Sequence, residues 1–410
     1  METNPSQAAP LRQYAATSGY RGLDIATSAN LLRRYATIER GLMRMLAGWF
    51  IAAPAYEMKY AFGHHLWDHA EHHDWIRARL TEMRGGLVRA SAEPALAHCL
   101  EETAHATSAH SFVAAAYLEL EAALLDCYRN HLAAADPTAN AAEIRLLGRM
   151  IPDLERHLAW AQQQITDVAD PHRRLIHKLL QAAGGISGLE QRSSFEGKTA
   201  PTSPSRFVRP GTIVLDSRIQ RGEFRSYEQR EAANAHESTV EDFKVFFNEL
   251  YAAALLASVL YDADPAEVPW EFFKDLAKQF WDEVRHSEFG AVRLRELGVE
   301  PDLCNPVLFE RTQDMSILHR VCYLTLGLET YFMPRKAPRV KKFLEGGDPR
   351  SQLFADQDWS DEITHVRNGT KWTEHLLEND LRTKDDVLAE VRKHIESVSG
   401  EKQEKIAAPF

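Results

Sequence analysis

Asp282-Glu283-Val284-Arg285-His286 and Asp361-Glu362-Ile363-Thr364-His365 are two copies of one pattern, an acidic pair with a histidine three residues after the glutamate. With 36 Glu and 18 His in 410 residues, chance alone supplies about one or two Glu-x-x-His matches, and Glu102-x-x-His105 is read as one of these. Requiring Asp immediately before the Glu lowers the chance expectation to roughly 0.1, yet two such sites fall in one stretch of the chain. On a helix, residues three apart are surface neighbours, so each pattern puts a carboxylate and an imidazole on one face.

Working outward, each pattern is preceded by a single Glu set in an apolar helical stripe. Glu249 sits among Phe246, Ala253 and Leu256, 37 residues before His286, and Glu329 sits among Thr325, Leu326, Phe332 and Met333, 36 residues before His365. Near-equal separations imply one antiparallel helix hairpin used twice, converging two Glu and two Glu-x-x-His pairs inside a four-helix bundle, the ligand plan of the di-metal carboxylate bundles. Four buried carboxylates repel one another, at several kcal/mol per buried ion, unless cations compensate them; two divalent metals would balance the −4. Oxygen and imidazole nitrogen donors suit iron or manganese, and the absence of thiolates argues against a sulfur-ligated cluster.

This set resembles the ferritin-like superfamily over about residues 231–385. The Asp-Glu-x-Arg-His form is especially similar to the bacterial multicomponent monooxygenases and the ribonucleotide reductase small subunits. The resemblance implies that Glu249, Glu283, His286, Glu329, Glu362 and His365 are metal ligands and the catalytic centre. It also makes Asp282 and Asp361 acceptors for the far nitrogens of the ligand imidazoles, with Arg285 in the surrounding network. One departure is Thr364, which stands where the first pattern has Arg285. Gly290 and Gly369 each lie four residues after a histidine; a mid-helix Gly costs about 1 kcal/mol relative to Ala, so each is expected to leave room for close helix packing or for a substrate.

An earlier block looks like a degenerate copy. Trp67-Asp68-His69-Ala70-Glu71-His72 aligns with Trp281-Asp282-Glu283-Val284-Arg285-His286, and Glu39, His72, Glu121 and His157 keep the plan, the last two again 36 residues apart. His69 and Leu154 replace the glutamates of the two patterns, which removes half the negative charge. The block is therefore read as a structural or partner-binding relic, with a single metal on Glu39, His69, His72, Glu121 and His157 as the other reading. The run His64, His65, His69, His72 and His73 spreads over more than one helical face and is read as solvated or hydrogen-bonded histidines. Trp67, Trp281, Tyr251, Tyr323 and Tyr331 are read as core aromatics rather than radical carriers.

The expected fold is all-α: two ferritin-like four-helix bundles in tandem joined by a Gly/Pro/Ser-rich linker. Residues 25–183 form the degenerate domain, 184–230 the linker, 231–385 the metal-binding domain, and 386–410 a C-terminal helix and tail. Breaks are expected at Ala53-Pro54, Gly85-Gly86, Glu93-Pro94, Asp136-Pro137, Asp170-Pro171, Asp264-Pro265, Val268-Pro269, Gly298, Pro301 and the Pro334 to Pro349 stretch. Thr212 to Leu215 could pair as a short strand. Thr383 should cap a helix from Lys384 to about Val398, and the tail after Gly400 should fray.

Composition agrees with a globular chain: 44% hydrophobic, 26% charged, and a net charge of −11 from 48 basic and 59 acidic residues. Disorder as the main state is excluded, and the acidic balance argues against nucleic acid or an anionic membrane as partner. Met1 to Leu11 has no signal-peptide pattern, the most apolar run, Leu46 to Ala55, is short and interrupted by Gly48 and Pro54, and the four cysteines form no Cys-x-x-Cys pair. A cytoplasmic location is expected. The leading functional expectation is a non-haem di-iron oxidase or oxygenase (Mn/Mn or Mn/Fe as alternatives) that uses molecular oxygen on a small organic substrate. With no flavin or nicotinamide fingerprint, its electrons would come from a separate donor, and a homodimer is left open. The alternatives are a ferroxidase or metal-handling protein, a manganese catalase-like protein, and a non-catalytic interaction module.

Overall fold

The computed structural model describes residues 22–83, 93–165, 170–193, 207–231, 233–378 and 380–399, and the structural statements below concern these. The expected start, the Gly85-Gly86 break, residues 194–206 of the linker and the tail after Gly400 lie outside them. The chain is all-α. Its β structure among the described residues is one parallel pair, β1 (Gln220–Arg221) on β2 (Leu303–Cys304). Thr212 to Leu215 is not a strand: Val214 N–H instead donates to Ile51 O at 2.9 Å, satisfying a helix-terminal carbonyl rather than a ladder.

The chain divides into two compact units, one comprising Met1–Trp49 and His65–Val208, the other Phe50–His64 and Arg209–Phe410. The first contains most of α1 (Ile25–Ala52) and α2 (Tyr56–Glu82), then α3 (Pro94–Ala104), α4 (Ala109–Ala115), α5 (Ala122–Ala134), α6 (Ala141–Gln164) and α7 (Pro171–Ala182). Between α4 and α5 the helix widens into a π turn, Ala116–Glu121. The stripe Leu31, Leu32, Tyr35, Ile38, Leu42 and Leu46 of α1 is buried as its spacing requires, and Glu39 lies buried inside it. Asp170 caps α7 by accepting from Arg173 N–H, with Pro171 at the first helical position. Gly184 and Gly185 then turn the chain at positive φ, and Arg34 binds the carbonyls of Ala183, Gly185 and Ile186, so the start of the expected linker is a fixed helix end.

The second unit contains α8 (Ala235–Asn248), α9 (Leu250–Asp262), α10 (Trp270–Glu296), α11 (Ile317–Cys322), α12 (Thr330–Glu345), α13 (Pro349–Leu376) and α14 (Lys384–Ser399). A second π turn, Tyr323–Glu329, joins α11 to α12. The run Ala235–Asp262 is long and apolar enough to cross a membrane by composition, but 78% of its apolar window is buried inside the structure, as a core helix would be. α10 packs on α8, α9 and α13, and α12 packs on α13. Thr383 and Asp386 cap α14 reciprocally, each side chain accepting from the other's backbone N–H.

The expected break between Pro334 and Pro349 is misplaced. Pro334 and Pro338 lie inside α12, which continues to Glu345 and stops at Gly346-Gly347. An interior proline costs about 3 kcal/mol, and tertiary anchoring of the same helix opposes that cost. Phe343 and Lys336 are buried, and Lys342 pairs with Asp242 of α8 at 2.8 Å.

Candidate metal centre

Irregular backbone places the isolated glutamates. Glu249 occupies a one-residue interruption between α8 and α9, and Glu329 closes the π turn before α12; in the first unit Glu121 closes the other π turn. The two π widenings are of a kind that frequently marks functional sites, because an extra residue in a turn rotates the following side chains relative to the rest of the helix. At Glu249 the turn tightens instead, its N–H bonding Phe246 O. Glu283 and His286 come from the middle of α10, Glu362 and His365 from the middle of α13.

All six residues meet in one region of the second unit. His286 Nδ1 lies 3.3 Å from Glu249 and 3.7 Å from Glu283, and His365 Nδ1 lies 3.4 Å from Glu283, 3.6 Å from Glu329 and 3.9 Å from Glu362. Glu283 thus turns one oxygen toward each imidazole. The remote nitrogens cross over: His286 Nε2 meets Asp361 at 3.2 Å, and His365 Nε2 meets Asp282 at 3.3 Å. Arg285 binds both Asp282 (2.6 Å) and Asp361 (3.1 Å), so one guanidinium serves both helices, while Thr364 faces solvent. Lys278 also donates to Asp282.

Three polar residues at this centre were not picked out from the sequence. Asp358, one turn before Glu362, lies 3.6 Å from His286 Nδ1 and belongs with Glu249, His286 and Glu362 to a group whose donor atoms lie within 4.8 Å of one another. Lys336, two turns after Glu329, is buried with Nζ 2.7 Å from Asp358 and 2.9 Å from Glu362. Gln279, one turn before Glu283, donates to Glu329 at 2.8 Å. The signal was present as polar residues at i−4 and i+7 from the chosen glutamates, on the same helical stripe.

The electrostatics are those of carboxylates short of positive charge. Burial pushes the Glu249 carboxyl up to about 7, aided by Asp358, and burial with Glu362 pushes Glu329 up to about 8. Against burial, His286 and His365 hold Glu283 well below the usual carboxylate range. Both imidazoles are raised well above their ordinary value despite burial, by the carboxylates on both of their nitrogens. Burial opposes the charge of Lys336, but Asp358, Glu362 and Glu249 hold its ammonium well above the normal lysine range.

A corresponding arrangement recurs in the first unit. His72 Nε2 meets Asp153 at 3.2 Å and His157 Nε2 meets Asp68 at 2.9 Å, the same crossing of aspartates and imidazoles. Arg156 joins Asp68 (2.7 Å) and Asp153 (2.8 Å) from the position that Thr364 occupies in the second unit. His69 stands in the place of Glu283, with Nδ1 2.5 Å from Glu39 and Nε2 3.7 Å from Glu121. Tyr128, two turns after Glu121 as Lys336 is after Glu329, donates to Glu39 at 2.6 Å. His65 bonds Tyr117 and His73 bonds Ala36 O. In the second unit His64 bonds Glu288 and accepts from Trp281.

Gly290 and Gly369 serve close helix approach. A Cβ on Gly290 would lie 2.1 Å from the backbone N of Phe247, and one on Gly369 would lie 2.1 Å from Thr325 Oγ1. The Tyr251 ring is fully buried and Tyr323 nearly so, as core aromatics, whereas Trp67, Trp281 and Tyr331 are partly exposed. The four cysteines are buried and free.

A family model described as "Protein of unknown function (DUF455)" matches residues 161–410. The chain belongs to the DUF455 family. The match spans the whole Glu249 to His365 set and begins after His157. No curated protein and no solved structure matches the chain.

Proposed function

We propose that the second unit is a ferritin-like four-helix bundle holding two divalent metals, and that the protein is a di-iron oxidase or oxygenase acting with molecular oxygen on a small organic substrate. On this reading the first unit is a second, altered bundle in tandem, which the recurring aspartate–imidazole crossing and the two π turns support.

The observation that carries the metal reading is a set of inward donors without hydrogen-bond partners: Glu249 Oε2, Glu329 Oε2, Glu362 Oε2, His286 Nδ1 and His365 Nδ1. A buried polar atom left unpaired costs about 1–3 kcal/mol, more when charged, so five together are explained by cations they would bind. The charge agrees. Asp358 adds a fifth carboxylate and Lys336 one ammonium, which leaves the −4 that two divalent ions neutralise. Glu249, His286 and Asp358 would hold one ion and Glu329 and His365 the other, with Glu283 and Glu362 as further ligands.

When bound, such a pair supplies Lewis acidity and electrons for reducing oxygen. The chain's own contribution is positional. Asp282 and Asp361 accept the Nε2–H of His365 and His286, fixing the tautomer in which each Nδ1 lone pair faces the centre. Lys336 Nζ keeps Asp358 and Glu362 oriented and holds a proton at the centre. The burial of these side chains excludes bulk water from the reacting groups. Electrons would come from a separate donor.

The test is metal quantification and oxygen-reaction spectroscopy on the wild type and Glu283→Ala after anaerobic loading with ferrous iron. Glu283→Ala is expected to bind two irons per chain fewer than the wild type. No bound metal with an unchanged melting temperature would reassign the protein to a binding module, and oxygen uptake tied to added iron, with mineral retained, to metal handling.

A further inference from the structure

The altered centre of the first unit divides into two unequal halves. On one side Glu39 is saturated: Oε1 accepts from Tyr128 at 2.6 Å and meets His72 Nδ1 at 3.2 Å, while Oε2 meets His69 Nδ1 at 2.5 Å. On the other side His69 Nε2 and Glu121 Oε2 have no hydrogen-bond partner, although both side chains are fully buried. His157 Nδ1 faces them, 2.6 Å from Glu121 Oε1. The donor atoms of His69, Glu121 and His157 all lie within 4.8 Å of one another.

From this asymmetry we infer that the first unit carries its own mononuclear site, in which His69 Nε2, Glu121 and His157 Nδ1 bind a single zinc-class divalent ion. Two imidazoles and one carboxylate form an established donor set for such ions, and imidazole-rich sites favour the later first-row metals over the harder ions that carboxylates select. The surroundings are already those of a metal site. The other nitrogen of each imidazole meets a carboxylate, Glu39 for His69 and Asp68 for His157, which orients the ring and turns the remaining nitrogen toward Glu121. Asp68 is itself held by Arg156 at 2.7 Å. His69 thus presents an imidazole nitrogen at the position where the second unit has the Glu283 carboxylate. The ion would tie α2, the π turn and α6 together from a position closed to solvent. His72 and Glu39 orient and support the site but are not its ligands.

The inference is independent of the two-metal reading of the second unit, and its test separates them. The full chain carrying Glu283→Gln and Glu362→Gln is stripped of metal and titrated with cobalt(II), read by elemental analysis, visible absorption and melting temperature. One cobalt per chain is expected to remain bound in the first unit and to raise the melting temperature. His69→Gln and His157→Gln should each lower the count by one ion relative to their parent, while His72→Gln keeps it. Asp68→Asn, which leaves every ligand in place, should weaken binding about 10- to 100-fold and covers the case in which a ligand variant misfolds. The proposal is overturned if the parent binds no cobalt, if the His69 and His157 variants keep the ion, or if His72→Gln loses it as they do.

Discussion

Asp282 of α10 reaches across to the imidazole of His365 on α13, Oδ2 to Nε2 at 3.3 Å, and Asp361 of α13 returns the contact to His286 of α10 at 3.2 Å. Each pattern thus orients the histidine of the other. Asp68 with His157 and Asp153 with His72 repeat the exchange in the first unit, where the neighbouring glutamates have changed. The aspartate before each glutamate is therefore part of the centre's support rather than a surface charge.

The first prediction concerns this support. Asp282→Asn keeps the shape but offers an amide that can donate as well as accept, so His365 loses its fixed tautomer. Metal affinity at the second centre should fall about 10- to 100-fold with the helical circular dichroism unchanged. Competition against a chelator of known affinity measures it; undiminished affinity would show that the aspartate does not orient the ligand.

The six donors of the second centre were legible because helical periodicity converts spacing into a shared face, and the Asp-Glu-x-x-His repeat is too improbable to be a surface accident. Lys336 is not legible for a specific reason: Pro334 and Pro338 read as a break, which hides the continuation of the Glu329 stripe to Lys336. Asp358 and Gln279 were hidden by the opposite problem, since a polar residue at i−4 is common on any solvated helix and becomes informative only when the stripe is buried. The role of Arg156 was invisible because the guanidinium changes helix between units, from the Arg285 position to the one aligned with Thr364. The first unit's unequal halves depend on which nitrogen of His69 is already bonded, and spacing carries no information about that.

A second prediction separates the two helix-packing glycines. A Cβ at Gly369 meets the Thr325 side chain, whereas one at Gly290 meets the backbone of Phe247. Gly369→Ala should therefore destabilise by about 1–3 kcal/mol and be partly rescued by Thr325→Gly, which moves the gap across the interface. Gly290→Ala should destabilise at least as much, and no side-chain change at Phe247 should rescue it. Urea denaturation of the five chains decides; additive losses for the Gly369 and Thr325 pair would contradict the contact.

Proton binding gives the third. In the metal-free chain Glu249 and Glu329 are raised to about 7 and about 8, so between the ordinary glutamate value near 4.5 and pH 8 the folded chain holds protons that the unfolded chain releases. Stability must then fall as pH rises through that window. The raised His286 and His365 act in the same direction: their contribution is present below the unfolded histidine value and is lost as pH passes the folded one. On the two-metal reading, bound metal would replace those protons, so affinity for a divalent ion should rise across pH 6 to 8. Melting temperatures recorded over pH 5.5 to 8.5 should slope downward without metal and flatten with it. Parallel curves would rule out a titrating centre.

The last prediction turns on Lys336, the buried cation that faces the Asp358 and Glu362 carboxylates. Lys336→Met retains the length and apolar stem but removes the charge that faces Asp358 at 2.7 Å and Glu362 at 2.9 Å. Arg339, 3.9 Å from Asp358, is too distant to replace it with a hydrogen bond. Breaking a buried pair by deleting one partner costs about 3–5 kcal/mol, so the metal-free variant should melt on the order of 10 °C lower. The charge facing any incoming ions would then be −5 rather than −4, and divalent metal should raise the melting temperature of the variant by more than it raises that of the wild type. Equal melting temperatures without metal would mean that the pairing of Lys336 with Asp358 and Glu362 contributes nothing to the fold. A variant that gains no more than the wild type on metal addition would mean that the Lys336 charge does not oppose the incoming ions, and would contradict the −4 count.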